Sequence, residues 1–312
     1  MADHRVTSWN DLLEQLYADS WRPDLARHRS PLVFRGLGDA ANDLTTSLMR
    51  LGGDAAAARI EPFILRAFRK YARAGLTTSP GESTWNWLAL AQHHGLPTRL
   101  LDWTYSPLVA LHFATADETL FDRDAAVWCV DCVRAGALLP DPLKRVLADE
   151  RASVFTAEML DEAVGGLPEL DALACGGSNG GGGNADPFVV FLEPPSLDQR
   201  IVNQFALFCL MSSPTARFDH WLAERPDLYR LVVIPAALRW EVRDKLDQAN
   251  VNERVLFPGL DGLTAWLRRY YTPRAGERCP GEDGGGGGPA PGPREGETAT
   301  PARAGPTASS AG

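Results

Sequence analysis

The residues best suited to chemistry lie in one stretch, residues 92–103, which reads QHHGLPTRLLDW. It places two histidines, an arginine, an aspartate and a tryptophan between two apolar segments. Imidazoles transfer protons near neutral pH, and a guanidinium binds phosphate or carboxylate through parallel hydrogen bonds. Polar groups concentrated on a rigid scaffold are typical of a binding or catalytic site. A buried ion pair with capping groups fits the same spacing, so the residues alone leave both interpretations open.

Two helices and a strand must position this stretch. The apolar run at 85–91 predicts a helix, which Gly95 and Pro97 end. Residues 98–101 are typical of a short, fully buried strand, and residues 107–114 predict the next helix. The polar groups would therefore lie where a helix ends and an inner strand begins.

A second candidate group ends the short apolar strand predicted at residues 31–36. Arg35 offers a fork of donors to an anionic ligand, and Gly36 allows a ligand to approach the backbone closely. A structural salt bridge from Arg35 to Asp39 or Asp102 is the alternative.

Composition excludes some classes of partner. The 312 residues are 45% hydrophobic and 23% charged, which is ordinary for a globular protein with a sizeable core. The formal net charge of −9 argues against binding nucleic acid over the whole surface. The net charge does not exclude a local basic cleft, because cationic residues crowd one region: Arg35, Arg50, Arg59, Arg66, Arg69 and Lys70.

The sequence also disfavours membrane, metal and redox functions. No signal peptide is evident, and no run approaches the roughly 18 apolar residues that span a bilayer. We therefore expect a cytoplasmic protein without a membrane partner. Cys129 and Cys132 have the CxxC spacing of a metal or redox pair, but the surrounding residues 125–132 read as a buried strand and no second CxxC exists.

The predicted fold class is α/β (α+β), with a mixed, largely antiparallel sheet wrapped by helices. An N-terminal helix lies within residues 1–29, and a single domain covers residues 30–271 with a glycine-rich insertion at about 175–186. Residues 272–312 are rich in Gly, Pro, Ala, Thr and Ser, which cannot repay their ordering entropy, so we expect a disordered tail. Further helices are predicted at 9–17, 42–50, 55–74, 143–149, 155–164, 236–249 and 260–271, and strands at 187–192, 204–210 and 228–234.

The helix predicted at 55–74 carries apolar residues at helical spacing. We expect this stripe to face the core: Ile60, Phe63, Ile64, Ala67, Phe68 and Tyr71.

Several blocks of sequence resemble the FRG domain family, which is named for its Phe-Arg-Gly motif. The blocks are VFRG at 33–36, WLALAQHHGLPTRLLDWT at 87–104 and SPLVALHFA at 106–114, and later ones at 126–130 and 252–263. The resemblance covers roughly residues 30 to 270. It departs from the family at Ala206, where members tend to carry a glycine that would let a ligand approach the backbone.

The resemblance implies a bacterial or phage-related intracellular protein and, more distantly, the ADP-ribosyltransferase fold. That fold has an arginine or histidine near its start, a polar residue on a middle strand and a glutamate near its end. The matching order here is Arg35, residues 94–98 and Glu253. The implied function is an NAD-dependent ADP-ribosyltransferase-like effector, a toxin or phage-defence protein, with a protein or nucleic-acid acceptor and an antitoxin as partners.

The resemblance also implies roles for individual residues. Splitting nicotinamide from NAD develops positive charge on a ribosyl carbon, which Glu253 would stabilise, and His94 would bind the ribose hydroxyls. Arg35 would hold the diphosphate. Trp103 or Tyr105 would stack on nicotinamide, beside hydrogen bonds from the backbone near Thr98. Gly36 would let the backbone approach the cofactor, and no metal is expected.

Structural alternatives accompany these roles. His94 fits a helix-end histidine bonded to a carbonyl, and Glu253 fits an acid favoured by a helix N-terminus. His93 is predicted to be structural. Arg99 and Asp102 could be ligand groups, but an arginine and an aspartate around a buried strand are commonly partners for each other. Two other classes of function also stay open. One is a non-catalytic module for a nucleotide, nucleic-acid end or acidic peptide, and the other is a hydrolase or nuclease using His94 and Asp102.

Overall fold

A computed structural model of the chain describes residues 3–76, 80–174, 186–196 and 198–273. The chain divides into two compact units, Met1–Leu267 and Arg268–Gly312. Nearly all of the predicted glycine-rich insertion and of the predicted tail lies outside the described residues, so both stay predictions.

Strands form where apolar and β-branched residues cluster between turns. In chain order the described strands are β1 (His4–Arg5), β2 (Trp21–Arg22), β3 (Arg27–His28), β4 (Leu32–Leu37), β5 (Leu101–Thr104), β6 (Ala125–Asp131), β7 (Val189–Leu192), β8 (Ala206–Met211) and β9 (Tyr229–Ile234).

Helices begin at side chains that accept a backbone N–H, such as Ser8, Ser83 and Ser106. They are α1 (Trp9–Tyr17), α2 (Asp54–Ala72), α3 (Thr84–His93), α4 (Pro107–Ala114), α5 (Cys132–Gly136), α6 (Asp141–Asp149), α7 (Ala157–Ala163), α8 (Leu167–Ala174), α9 (Gln199–Asn203), α10 (Phe218–Ala223), α11 (Arg239–Gln248), α12 (Glu253–Leu256) and α13 (Leu260–Tyr271). Short 3-10 helices occur at Met49–Leu51, Arg73–Gly75, Glu118–Leu120 and Ala236–Leu238.

Within the described residues, one sheet of seven strands has the order β1–β9–β6–β4–β5–β8–β7. Neighbouring strands are antiparallel except β1 and β9, which are parallel. Strands β2 and β3 form a separate hairpin. The predicted α/β fold with a mixed, largely antiparallel sheet and surrounding helices is confirmed. Strand β1 places the segment before residue 30 at an edge of the same sheet.

The sheet is loosest between β4 and β5. These strands share the single register pair Phe34 with Thr104, whereas β4 and β6 are paired from Leu32 to Leu37. Arg35 and Asp102 lie beside the unpaired part. Strand β8, on the other side of β5, pairs Phe208 with Asp102. The middle of the sheet therefore brings both sequence motifs together.

Local hydrogen bonds correct two predicted elements. The helix expected at 42–50 is wrong, because the Asp43 carboxylate accepts from Thr45 N at 3.0 Å and ties the chain into a turn. The strand expected at 98–101 begins only at Leu101, because Thr98 O accepts from Leu48 N at 3.1 Å, outside the sheet. The expectation that residues 98–101 are buried is confirmed, and exposure begins at the next residue, Asp102.

Part of the predicted stripe on α2 does not reach the core. Phe63 is 62% exposed and Tyr71 is 72% exposed. The buried side of α2 consists of Ala57, Glu61 and Leu65. Among the described helices, none has both the length and the apolar character needed to cross a bilayer.

Candidate functional site

A pocket of about 760 Å³ opens beside β4, β5 and β8, at the C-terminal end of α3. Its volume is in the range of sites for small molecules and cofactors. Its polar lining consists of Arg35, Ser47, Gln92, His93, His94, Asp102, Thr104, Arg200 and Gln204. Two of the sequence motifs, the Phe-Arg-Gly strand and residues 92–103, therefore meet at one cavity.

Arg35 lies in the lining of this pocket. Its side chain is 19% exposed, one terminal nitrogen donates to the backbone oxygen of Asp102, and the Asp102 carboxylate lies 3.9 Å away. Among the described residues, Arg35 Nε is buried without a hydrogen-bond partner. Burial lowers the pKa of Arg35, and the Asp102 carboxylate acts in the opposite direction. Because Nε is shielded from solvent, an anionic ligand would contact the terminal nitrogens of the guanidinium.

A short relay of hydrogen bonds fixes Asp102. The Thr98 hydroxyl donates to Gln92 Oε1 at 2.6 Å, and Gln92 Nε2 donates to both Asp102 carboxylate oxygens at 3.0 Å. Asp102 is 61% exposed, whereas Thr98 is 2% exposed. Thr98 is thus outside the pocket lining and supports the site through Gln92, so it does not face a ligand as expected.

The two histidines occupy different settings. His94 follows the last residue of α3, is exposed, and its backbone N–H donates to Leu90 O at 3.1 Å. His93 Nε2 lies 2.7 Å from Asp198 Oδ2, at the start of α9. Although burial acts to raise it, the N–H of Ile201 and the His93 ring hold the pKa of Asp198 below its usual value. A carboxylate bonded to one ring nitrogen orients a histidine for proton transfer.

The sequence predicts a structural role for His93, and nothing in the local sequence points to Asp198. The pairing brings together the ends of two helices that are far apart along the chain. His93 is therefore both a support for α9 and a side chain of the pocket lining.

Phe113 is the most exposed of the aromatic residues in the described pocket lining. Its side chain is 36% exposed, and its ring makes an edge contact with Phe257, 6.2 Å between centroids. The Arg200 guanidinium lies over the same Phe257 ring at 5.0 Å. Sequence reasoning missed both Phe113 and Arg200, although Phe113 lies in the block at 106–114.

The ring of Trp103 is buried. The side chain alternates with that of Asp102 along β5, is 3% exposed, and packs edge-on against Phe191 and Phe218. Its Nε1 donates to Cys209 Sγ at 3.0 Å. Trp103 belongs to the pocket lining although its side chain is buried, and the expected nicotinamide contact stays a prediction. Tyr105 donates its hydroxyl to Glu193 at 2.7 Å, and burial raises its pKa.

Gly36 has a structural reason to be glycine. A Cβ at this position would lie 1.9 Å from Ala110 O and 2.6 Å from Ala114 N, because α4 crosses β4 closely. Gly36 also lines the pocket. Its role toward a cofactor stays a prediction.

Glu253 is the first residue of α12 and is not part of the pocket lining. Asn252 caps this helix by accepting from Val255 N at 3.3 Å. A residue of the pocket lining still contacts α12, because Gln204 Nε2 donates to Leu256 O at 3.0 Å. Of the expected group Arg35, His94 and Glu253, the first two line one cavity and the third does not.

Arg99 is paired, but with other partners than expected. It is 3% exposed, and it binds Glu61 Oε1 at 2.7 Å and Asp171 Oδ1 at 2.6 Å. Although burial acts to lower it, these hydrogen bonds raise the pKa of Arg99. The expected pair of Arg99 with Asp102 is therefore wrong, and Arg99 belongs to the scaffold.

The CxxC cysteines are free thiols in the core. Cys129 and Cys132 pack in different hydrophobic clusters, and burial raises the pKa of each to about 12. Within the part of the chain that the structure describes, no group of three His, Cys, Asp or Glu side chains is arranged to hold a metal.

The fold and the pocket thus define an α/β domain with a cavity whose lining includes Arg35, Arg200 and Asp102. Residues 30–123 match the family model of the FRG domain, and the chain therefore carries an FRG domain. The match contains Arg35, His94 and Asp102, whereas the later blocks at 126–130 and 252–263 lie beyond it. Comparisons with curated proteins and with solved structures found no match.

Proposed function

We propose that the pocket of the FRG domain binds NAD or a closely related nucleotide and holds its diphosphate on Arg35. The observation that carries this proposal is the guanidinium of Arg35, which lines the cavity and is 19% exposed. A diphosphate supplies charged acceptors, and a charge-assisted hydrogen bond contributes more than a neutral one. Arg200 adds a second cation to the lining.

The remaining lining suits the rest of a nucleotide. Phe113 offers a partly exposed ring to a base or to nicotinamide, in place of Trp103. The exposed His94 and the side chains of Ser47 and Gln204 supply hydrogen bonds for ribose hydroxyls. A cavity of about 760 Å³ accommodates such a ligand.

For transfer of ADP-ribose, the bond between the ribosyl carbon and nicotinamide breaks, and nicotinamide leaves with the electron pair. A nucleophile on the acceptor then bonds to the ribosyl carbon and loses its proton to a base. Asp102 is the carboxylate in the pocket lining that would stabilise the positive ribosyl carbon, in place of Glu253. His93, oriented by Asp198, would take the proton.

The position of Glu253 favours a second candidate, a module that binds the nucleotide without cleaving it. The two candidates differ in NAD consumption. Purified protein incubated with NAD and with protein, DNA or RNA acceptors releases nicotinamide only if the site is catalytic. Asp102→Asn would then abolish nicotinamide release, and Glu253→Gln would leave it largely intact. Loss of release in Glu253→Gln but not in Asp102→Asn would instead assign the catalytic role to Glu253.

Calorimetric titration tests the binding step itself. We expect NAD and ADP-ribose to bind and nicotinamide riboside, which lacks phosphate, to bind far more weakly. Arg35→Gln should weaken NAD binding roughly 10- to 100-fold, the loss of a charge-assisted bond. Arg145→Gln, an exposed arginine on α6, is the matched control and should leave affinity unchanged. Equal affinity for the riboside, or an Arg35 variant that binds like wild type, would refute the proposal.

A further inference from the structure

A second surface lies outside the pocket lining, on α2. Arg59, Phe63, Arg66 and Lys70 follow one another at intervals of four, three and four residues, which places them on one side of a helix. All four are exposed, and Tyr71 borders them with 72% of its surface exposed. These five residues are called the outer α2 face below.

The cations of this face lie apart from the carboxylates of the described residues. Among the described residues, no acidic side chain lies within ion-pair distance of Arg59, Arg66 or Lys70. The Arg66 guanidinium lies 5.4 Å from the Phe63 ring centroid, and the Lys70 ammonium lies 5.1 Å from that of Tyr71. In a chain with a formal net charge of −9, this concentration of positive charge stands apart.

The opposite side of α2 already provides the anchoring of the helix. Ala57, Glu61 and Leu65 are buried, and Glu61 binds the guanidinium of Arg99. Phe68 packs edge-on against Trp87 at 6.3 Å. The contacts that anchor α2 therefore lie on the side opposite the outer face, and exposed aromatic rings beside cations favour a ligand.

We propose that the outer α2 face binds single-stranded nucleic acid. The phosphates would contact Arg59, Arg66 and Lys70, and unstacked bases would lie on Phe63 and Tyr71. A helix that lies on a membrane inserts its apolar side into the lipid, but the apolar side of α2 is packed against the protein. Polyanion binding through cations and rings is the chemistry that remains for this face.

Fluorescence anisotropy on the full chain tests the proposal with labelled DNA and RNA single strands of about 20 nucleotides, longer than typical site sizes. Arg66→Gln together with Lys70→Gln removes two phosphate contacts. The slope of log affinity against log salt should then fall by roughly 1.4, and affinity should fall on the order of tenfold. Phe63→Ala with Tyr71→Ala should weaken binding on the order of tenfold or more and leave the salt slope unchanged.

The control is Lys144→Gln with Arg145→Gln, a pair of exposed cations on α6, which should bind like wild type. Circular dichroism checks that each variant is folded, as expected for exposed positions. Absence of binding by the wild-type chain, or equal loss in the α6 control, would overturn the proposal. Binding to anionic lipid vesicles in place of the oligonucleotides would also overturn it. These measurements are made without NAD, so their outcome is independent of the outcome of the NAD-binding experiments on the pocket.

Discussion

At the scale of single residues, Gln92 connects a buried hydroxyl to the carboxylate of the pocket. Its Oε1 accepts from Thr98, which sets the direction of the amide, and Nε2 then faces Asp102. Asp102 accepts from Gln92 at 3.0 Å and forms an ion pair with Arg35 at 3.9 Å, so the relay fixes the position of the carboxylate beside the guanidinium.

This relay predicts the effect of Thr98→Val, which keeps the shape but removes the hydroxyl. Leu100 N, which donates to Thr98 Oγ1 at 3.0 Å, and Gln92 Oε1 would both lose a partner. We expect a loss of about 1–3 kcal/mol in the free energy of unfolding and weaker NAD binding. Urea unfolding and calorimetry measure the two effects. Thr98→Ser should retain most of both; equal behaviour of the valine and serine variants would contradict the relay.

At the scale of elements, Arg99 joins parts of the scaffold that the sheet does not connect. Its guanidinium binds Glu61 on α2 and Asp171 on α8. Arg99 immediately precedes the residues that lead into β5, so the same ion pairs fix the entry to the strand that carries Asp102. The cluster therefore links the outer helices to the position of the pocket.

The two carboxylates of this cluster should differ in their contribution to stability. Glu61 is 5% exposed at its side chain and Asp171 is 36% exposed. Glu61→Gln leaves a buried charge partly uncompensated and should cost about 3–5 kcal/mol of unfolding free energy. Asp171→Asn, where water screens the pair, should cost about 1 kcal/mol or less. Guanidinium chloride unfolding of both variants measures the difference, and equal costs would contradict this assignment.

The same elements show how far the sequence predicts the fold. Helical periodicity located α1, α2 and α13, and apolar runs located β6, β7 and β9, because each has a local signal. The partners of Arg99 lie 38 and 72 residues away along the chain, beyond any local pattern. The prediction that the apolar stripe on α2 faces the core is wrong for Phe63 and Tyr71, which follow the helical spacing but face solvent. Periodicity does not state which side of a helix meets the core.

At the scale of the whole molecule, the strand order assembles the pocket. Strands β4 and β5 are neighbours in the sheet although α2 and α3 separate them along the chain, which brings Arg35 to Asp102. The sequence motifs therefore contain four residues that line this pocket: Arg35, Gly36, His94 and Asp102. They did not identify Phe113, Arg200 or the pair of His93 with Asp198, because these join the pocket only through packing of α4 and α9.

The position of Glu253 shows the same limit of prediction from sequence motifs. Its position in the order of motifs suggested the pocket, but the α12 helix presents its backbone carbonyls to Asn203 and Gln204. The glutamate side chain lies outside the lining of the described pocket. Order along the chain therefore does not establish that three groups meet.

Hydrogen–deuterium exchange with and without NAD tests the central claim, that NAD occupies the Arg35 pocket, most directly. Backbone amides at residues 92–96 and 199–206 should exchange more slowly when NAD is bound, and those of α2 should be unchanged. Arg35→Gln should remove this protection. Protection centred on residues 252–257 with none at 92–96, or no protection in either pocket segment at saturating NAD, would contradict the account.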